Sequence, residues 1–137
     1  MNVTVKYTGA MPLRGLDEKG HETLFDTSPE FHGNDSAASP MAVLLEALAS
    51  CSMMDVISIL KKKRHDIRSL TASLDAVRAE THPKVFTSIT IRYDLSSSDC
   101  THADLEKAVA LSIERYCPVA AMIRDSGCEI SWTSTII

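Results

Sequence analysis

Residues 39–64 read SPMAVLLEALASCSMMDVISILKKKR, and how this stretch is read decides the fold. Ser39 can cap a free backbone N–H, and Pro40 suits the first helical position, where no donor is needed. From Met41 to Leu60 the only formal charges are Glu46 and Asp55, and Lys61, Lys62, Lys63 and Arg64 then place positive charge at the negative end of the helix dipole. A long helix is therefore expected over Met41–Leu60. Twenty mostly apolar residues invite a membrane-spanning reading, but two carboxylates and several serines make that costly and no second hydrophobic segment supports it. No membrane partner is expected. A helix buried on nearly all sides is the better account, and one small domain rarely encloses such a helix, so a second subunit is expected to cover part of it.

Outward from this helix the chain alternates short strands and helices. Val3, Val5 and Tyr7 alternate with polar residues, Leu13 to Leu16 runs to a turn at Asp17 to Gly20, and His21 to Asp26 resumes the extended pattern. Together they predict an antiparallel meander. Thr27 to Ser39, rich in Ser, Pro, Gly, Asn and Asp, reads as a loop. Beyond the helix, Leu70 to Ala76 and Val85 to Leu95 alternate around a turn holding His82-Pro83, which predicts a long antiparallel pair. Thr101 and Asp104 approximate a capping box for a second helix, with Leu105, Ala108, Val109, Ser112, Ile113 and Tyr116 at helical spacing. Pro118 interrupts it and should open a third helix through Arg124 or Asp125, stopped at Gly127, before a last strand from Ile130 to Ile137. The order β-β-β-α-β-β-α-α-β predicts a single α+β domain over residues 1–137.

Composition bounds the function. The 137 residues are 45% hydrophobic and 23% charged, as in one ordinary globular domain, large enough to form a core without metals or disulfides. A formal charge of −4 supplies no basic field to collect phosphates, so nucleic acid is not an expected partner. The start of the chain lacks the pattern of a secretory signal, which points to the cytoplasm, where thiols are kept reduced. Cys51, Cys100, Cys117 and Cys128 contain no CxxC pair, and no two histidines stand at i, i+4, so neither a metal site nor another cofactor is expected.

Four residues invite a chemical role. Cys117 occupies the cap position before Pro118, where unpaired N–H groups and the helix dipole favour a thiolate, while a small buried residue at a helix junction is an equally good account. Cys51 stands inside the long helix with Asp55 on the same face and no helix terminus to activate it, the usual setting of an inert core cysteine. Glu46 and Asp55 are carboxylates in apolar surroundings, able to orient a catalytic arginine. Glu46 is roughly 140° around the helix from Cys51, so it would reach a thiol only across a subunit interface, and a solvated helix edge is its plainer reading. The histidines, the Met53-Met54 pair and the Lys61–Arg64 run read as surface, core filling and a solvated helix end. Cys100 and Cys128 have no identifiable activating neighbour.

Ser39-Pro40-Met41, Leu44-Leu45, Cys51-Ser52-Met53-Met54-Asp55-Val56 and Tyr116-Cys117-Pro118-Val119-Ala120, in this order and with the two cysteines 66 positions apart, resemble the OsmC/Ohr family, and most nearly its short OsmC-like subgroup. The resemblance covers nearly the whole chain. It implies an intertwined homodimer with two sites at the interface, each using a cysteine pair to reduce organic hydroperoxides or hydrogen peroxide in oxidative-stress defence. On that reading Cys51 attacks the peroxide O–O bond and Cys117 resolves the sulfenic acid to a disulfide, which a dithiol reductant reopens. The reaction needs no metal but does need a cation beside Cys51 to favour the thiolate and stabilise the departing alkoxide.

Two positions depart from the family pattern. Family members commonly carry a glutamate just after the Pro or Pro-Met of the helix start, paired with an arginine near the reactive thiol, whereas this chain has Ala42 there. Glu46, one turn later, is the candidate substitute. The loop Thr27–Ser39 holds no arginine or lysine, which leaves Arg14 in the meander as the candidate cation. The alternative is a catalytically weak or inactive OsmC-like dimer that binds a small apolar or electrophilic molecule at its interface; a purely structural partner protein is a third, generic possibility.

Overall fold

The computed structural model describes residues 1–137, which form two compact units, Met1–Glu46 and Ala47–Ile137. The first unit holds the expected meander: β1 (Val3–Lys6), β2 (Leu13–Asp17) and β3 (Glu22–Phe25), antiparallel in the order β1-β2-β3, with Val3 opposite Asp17 and Leu13 opposite Phe25. The loop that follows is more organised than its composition suggests. Asp26, 3% exposed, accepts from the backbone N–H of Thr27 at 2.7 Å, Asn34 at 3.1 Å and Ser36 at 3.0 Å, and also from the Ser36 hydroxyl. Those bonds, led by the one from Ser36, hold its carboxyl down at about 2. Gly33 has no alternative here, since a Cβ would meet the Thr27 carbonyl oxygen at 1.9 Å.

Helix α1 (Pro40–Lys62) starts as its sequence demands. The Ser39 hydroxyl accepts from the Ala42 N–H at 3.2 Å, and the Ser39 carbonyl takes the first helical bond from Val43 at 2.9 Å. The helix runs on into the second unit, where it buries Leu48, Ser52, Val56 and Leu60, one residue per turn. Burial on nearly all sides is not what the single chain shows. A helix laid on other elements loses one stripe to them, and here Leu44 and Met54 remain 40% and 69% exposed.

The second unit is a three-stranded sheet carrying helices. β4 (Ser69–Arg78) and β5 (Phe86–Ser96) pair antiparallel from Ser69 opposite Ser96 to Arg78 opposite Phe86. α2 (His102–Leu111) begins at the Thr101 cap, whose hydroxyl accepts from the Asp104 N–H at 3.2 Å. In place of a regular last turn, Ser112–Tyr116 widen into a π-helical turn, after which α3 (Pro118–Asp125) leads to β6 (Glu129–Ile136). β6 adds to β5 in parallel, because α2 and α3 carry the chain back to the starting end of the sheet before it forms the last strand. The inward side of β5, Ile89, Ile91, Tyr93 and Leu95, is at most 1% exposed and joins Leu105, Ala108 and Val109 of α2 in the core. The alternation in β5 thus forms the floor on which the helices rest.

Candidate functional site

Cys51 and Cys117 reach one another within the second unit. Cys51 projects from the middle of α1, half-buried. Cys117 closes the π-helical turn and caps α3 with extended backbone, its sulfur accepting from the Ala120 N–H at 3.4 Å. It is 2% exposed, and the Cys51 thiol is its hydrogen-bonding and Coulombic neighbour. Both side chains are free thiols in the structure.

The cap at Cys117 forms as the sequence predicts, but burial outweighs its pull on the thiol, which favours the reading of a small buried residue at a helix junction. The backbone N–H groups of Ala120 and Val119 pull the thiol towards ionisation, while burial, the larger influence, together with the neighbouring Cys51 pushes it up to about 11. Cys117 therefore carries its proton at neutral pH. No basic side chain is among the main influences on it.

Beside the pair runs a chain of buried hydroxyls drawn from three elements. The Tyr93 phenol of β5 meets the Ser52 hydroxyl of α1 at 2.6 Å. Ser52 meets Ser112 of the π-helical turn at 3.1 Å, and Ser112 reaches the Asp55 carboxylate of α1 at 2.9 Å. A carboxylate only accepts, so Ser112 donates to Asp55, Ser52 to Ser112 and Tyr93 to Ser52, giving each hydroxyl proton its own acceptor. Burial raises the Tyr93 phenol to about 12, and the nearby Cys117 and Asp55 add to that. Tyr93 thus remains neutral beside the cysteines. Asp55 ends the chain at an open groove of about 680 Å3, lined also by Ile59, Lys62, Lys63, Leu111 and Tyr116.

The other two candidate residues belong to the first unit. Arg14 lies on β2 with Nη1 2.8 Å from Glu22 Oε1, both side chains substantially exposed. Glu46 is exposed on α1. Two features the sequence reading passes over stand out. Ser52, Tyr93 and Ser112 interrupt apolar patterns at buried positions, and that interruption was their signal. His65 is only 14% exposed rather than a surface residue: its Nε2 lies 3.1 Å from Asp104 and its Nδ1 3.5 Å from Asp99, so with Lys63 on Asp104 it fastens the end of α1 to the start of α2.

Comparison with known proteins bears on the family and the fold. The family described as OsmC-like protein matches residues 33–133. Protein YhfA of Escherichia coli strain K12 is 36% identical over 123 residues, covering 90% of this chain and 89% of its own. Among solved structures, a hypothetical protein from Aquifex aeolicus VF5 superposes with a TM-score of 0.81 at 32% identity, over 99% of this chain and 96% of that one. A protein from Legionella pneumophila described as an organic hydroperoxide resistance protein OsmC superposes with a TM-score of 0.68 over 98% of this chain and 97% of its own. At 15% identity that last likeness concerns the fold alone.

Proposed function

The chain belongs to the OsmC-like family, and from that premise we propose that it is a cysteine-based peroxidase reducing organic hydroperoxides or hydrogen peroxide, as one domain of an intertwined cytoplasmic homodimer. The observation that carries this reading is the meeting of Cys51 and Cys117, 66 residues apart in sequence, thiol to thiol in a largely buried site. The Cys51 thiolate attacks one peroxide oxygen, the O–O bond breaks, and the alkoxide takes a proton to leave as the alcohol. Cys51 becomes a sulfenic acid. Cys117 then attacks that sulfur, its proton leaving with the hydroxyl group as water, and a Cys51–Cys117 disulfide forms. An external dithiol restores both thiols and becomes a disulfide itself. The chemistry uses no metal or cofactor.

The same reading places a second copy against α1. An 18-residue window of this helix has a mean hydropathy of 1.8 and is 22% buried in the single chain, and Val3, Val5 and Tyr7 of the first unit also stay exposed. In that dimer, Arg14 is the candidate cation for Cys51 and Glu46 its orienting carboxylate across the interface. Ala42, at the family's glutamate position, favours a second reading, a catalytically weak dimer that holds a small apolar or electrophilic molecule.

Stopped-flow oxidation of the reduced protein by cumene hydroperoxide and by hydrogen peroxide, followed by mass spectrometry of the Cys51 and Cys117 peptides, decides between them. Fast loss of both thiols to one disulfide, abolished by Cys51→Ser, is the expected result. Oxidation no faster than that of an ordinary free cysteine would reject the peroxidase and turn the search to what the interface binds.

A further inference from the structure

The step from sulfenic acid to disulfide requires the second sulfur to be held against the first, and one residue joins the two segments that carry them. Ser112 opens the π-helical turn that ends at Cys117, and its carbonyl accepts the Cys117 N–H at 2.8 Å across that wide turn. Its hydroxyl, fully buried, lies 2.9 Å from Asp55 Oδ2, 3.1 Å from Ser52 Oγ and 3.2 Å from the Ser52 carbonyl oxygen. Ser52 and Asp55 follow Cys51 within the next helical turn of α1. The main chain of Ser112 therefore holds Cys117, and its side chain holds the turn that bears Cys51. A π turn inserts one residue per turn relative to an α-helix and would otherwise leave the junction free to relax towards regular geometry.

We infer that Ser112 is the positioning residue of the cysteine pair, a hydroxyl clamp that keeps Cys117 in register with Cys51 for disulfide formation; this rests on the redox reading proposed above. The hydrogen-bond partners of the Ser112 hydroxyl are Ser52 and Asp55, not the cysteine sulfurs. The two steps of the reaction therefore divide. Attack on peroxide uses Cys51 and the cation that serves it, not Cys117, and does not depend on the clamp, whereas condensation of Cys51 sulfenic acid with the Cys117 thiol, which forms S–S and releases water, does.

Ser112→Ala removes the clamp with little change in volume. In single turnover with cumene hydroperoxide and dimedone as the sulfenic acid trap, the variant should consume peroxide within twofold of the wild-type rate. Its disulfide should form at least tenfold more slowly, with trapped sulfenic acid and sulfinic acid rising in step. Ser112→Thr keeps the hydroxyl and should restore the disulfide rate. Equilibration of the reduced proteins with glutathione redox buffers reads the same clamp without peroxide: the effective concentration of the pair should fall at least tenfold in Ser112→Ala. Should that variant not fold, Asp55→Ala, at the groove end, withdraws the hydroxyl's carboxylate partner and should shift both readouts about threefold in the same direction. Disulfide formation at the wild-type rate and an unchanged glutathione equilibrium would overturn the clamp. Slow peroxide consumption by the wild type itself would instead reject the peroxidase reading while leaving the glutathione comparison to judge the clamp.

Discussion

The Ser52 hydroxyl and the Tyr93 phenol, 41 residues apart, meet at 2.6 Å with neither side chain exposed to solvent. This contact fixes α1 to the floor of the sheet at the residue next to Cys51, and its two partners are not equivalent. Ser52→Ala strands the Tyr93 hydroxyl in the core without an acceptor and should cost roughly 1–3 kcal/mol. Tyr93→Phe leaves Ser52 still able to donate to Ser112 and should cost less, about 0.5–1.5 kcal/mol. Urea denaturation of the two variants and of the double variant checks the order, and equal losses would mean the hydroxyl chain does not run in the direction assigned.

Alkaline pH should loosen this region before it affects the rest of the molecule. Tyr93 is raised in the folded protein to about 12 from 10.0, and Cys117 to about 11 from 9.0, both chiefly by burial. For an acid raised on folding, the stabilisation is complete below the unfolded value and is lost as pH climbs through the folded one, because the unfolded chain ionises first. Stability should therefore fall between about pH 9 and pH 12, and Tyr93→Phe should flatten the upper part of that limb. Chemical denaturation at stepped pH measures it.

Cys117 should resist alkylation at neutral pH. A thiol raised from 9.0 to about 11 has about 100-fold less thiolate than the unfolded chain at the same pH, and its 2% exposure restricts access further. Iodoacetamide labelling read by peptide mass spectrometry at pH 7.5 should modify Cys117 at least 100-fold faster in urea than in buffer. Comparable rates would contradict both the burial and the raised thiol.

Much of this architecture was legible in the sequence because single local rules governed it. Ser39-Pro40 set the start of α1, Thr101 that of α2 and Pro118 that of α3, and alternation marked β4 and β5. What escaped depended on contacts distant in sequence. Ser52, Tyr93 and Ser112 each stand in an apolar pattern where a hydrocarbon side chain would fit equally well, and only their convergence gives the hydroxyls a purpose. The choice between a thiolate and a small buried residue at Cys117 stayed open for the same reason: the cap is local and forms, while the burial that outweighs it comes from the folded chain. The partial cover of α1 within one chain, by contrast, was legible, because one small domain rarely encloses so apolar a helix.

Acid should act on the first unit through Asp26. Its carboxyl is lowered from 3.8 to about 2, so the stabilisation it supplies is complete above the unfolded value and disappears as pH falls from about 4 through 2. Asp26→Asn replaces one accepting oxygen with a donor that faces N–H groups, and should free residues 27–36 even at neutral pH. Amide hydrogen exchange at Asn34 and Ser36 should rise at least tenfold in the variant and, in the wild type, as pH falls through that window after correction for intrinsic rates. Unchanged protection in the variant would mean that the turn at Pro29–Phe31 and Gly33 holds the loop without the carboxylate.

Cys117 has no basic residue among its main influences, and on the proposed peroxidase reading the alkoxide departing beside Cys51 needs a cation to stabilise it. Arg14 is held by Glu22 at 2.8 Å on an exposed sheet, a pairing worth little by itself and easily exchanged for another anion. If Arg14 serves Cys51 in the dimer, Arg14→Ala should slow peroxide consumption at least tenfold, Arg14→Lys should recover part of it, and Glu22→Gln, which releases the guanidinium, should leave the rate unchanged or raise it. Sedimentation at micromolar concentration should give twice the 15.0 kDa chain mass for wild type and all three variants, and Met54→Glu, on the exposed side of α1, should weaken that dimer and the rate together. A rate indifferent to Arg14 but lost with the dimer would assign the cation to another residue at the interface; a rate indifferent to both would place the chemistry within a single chain.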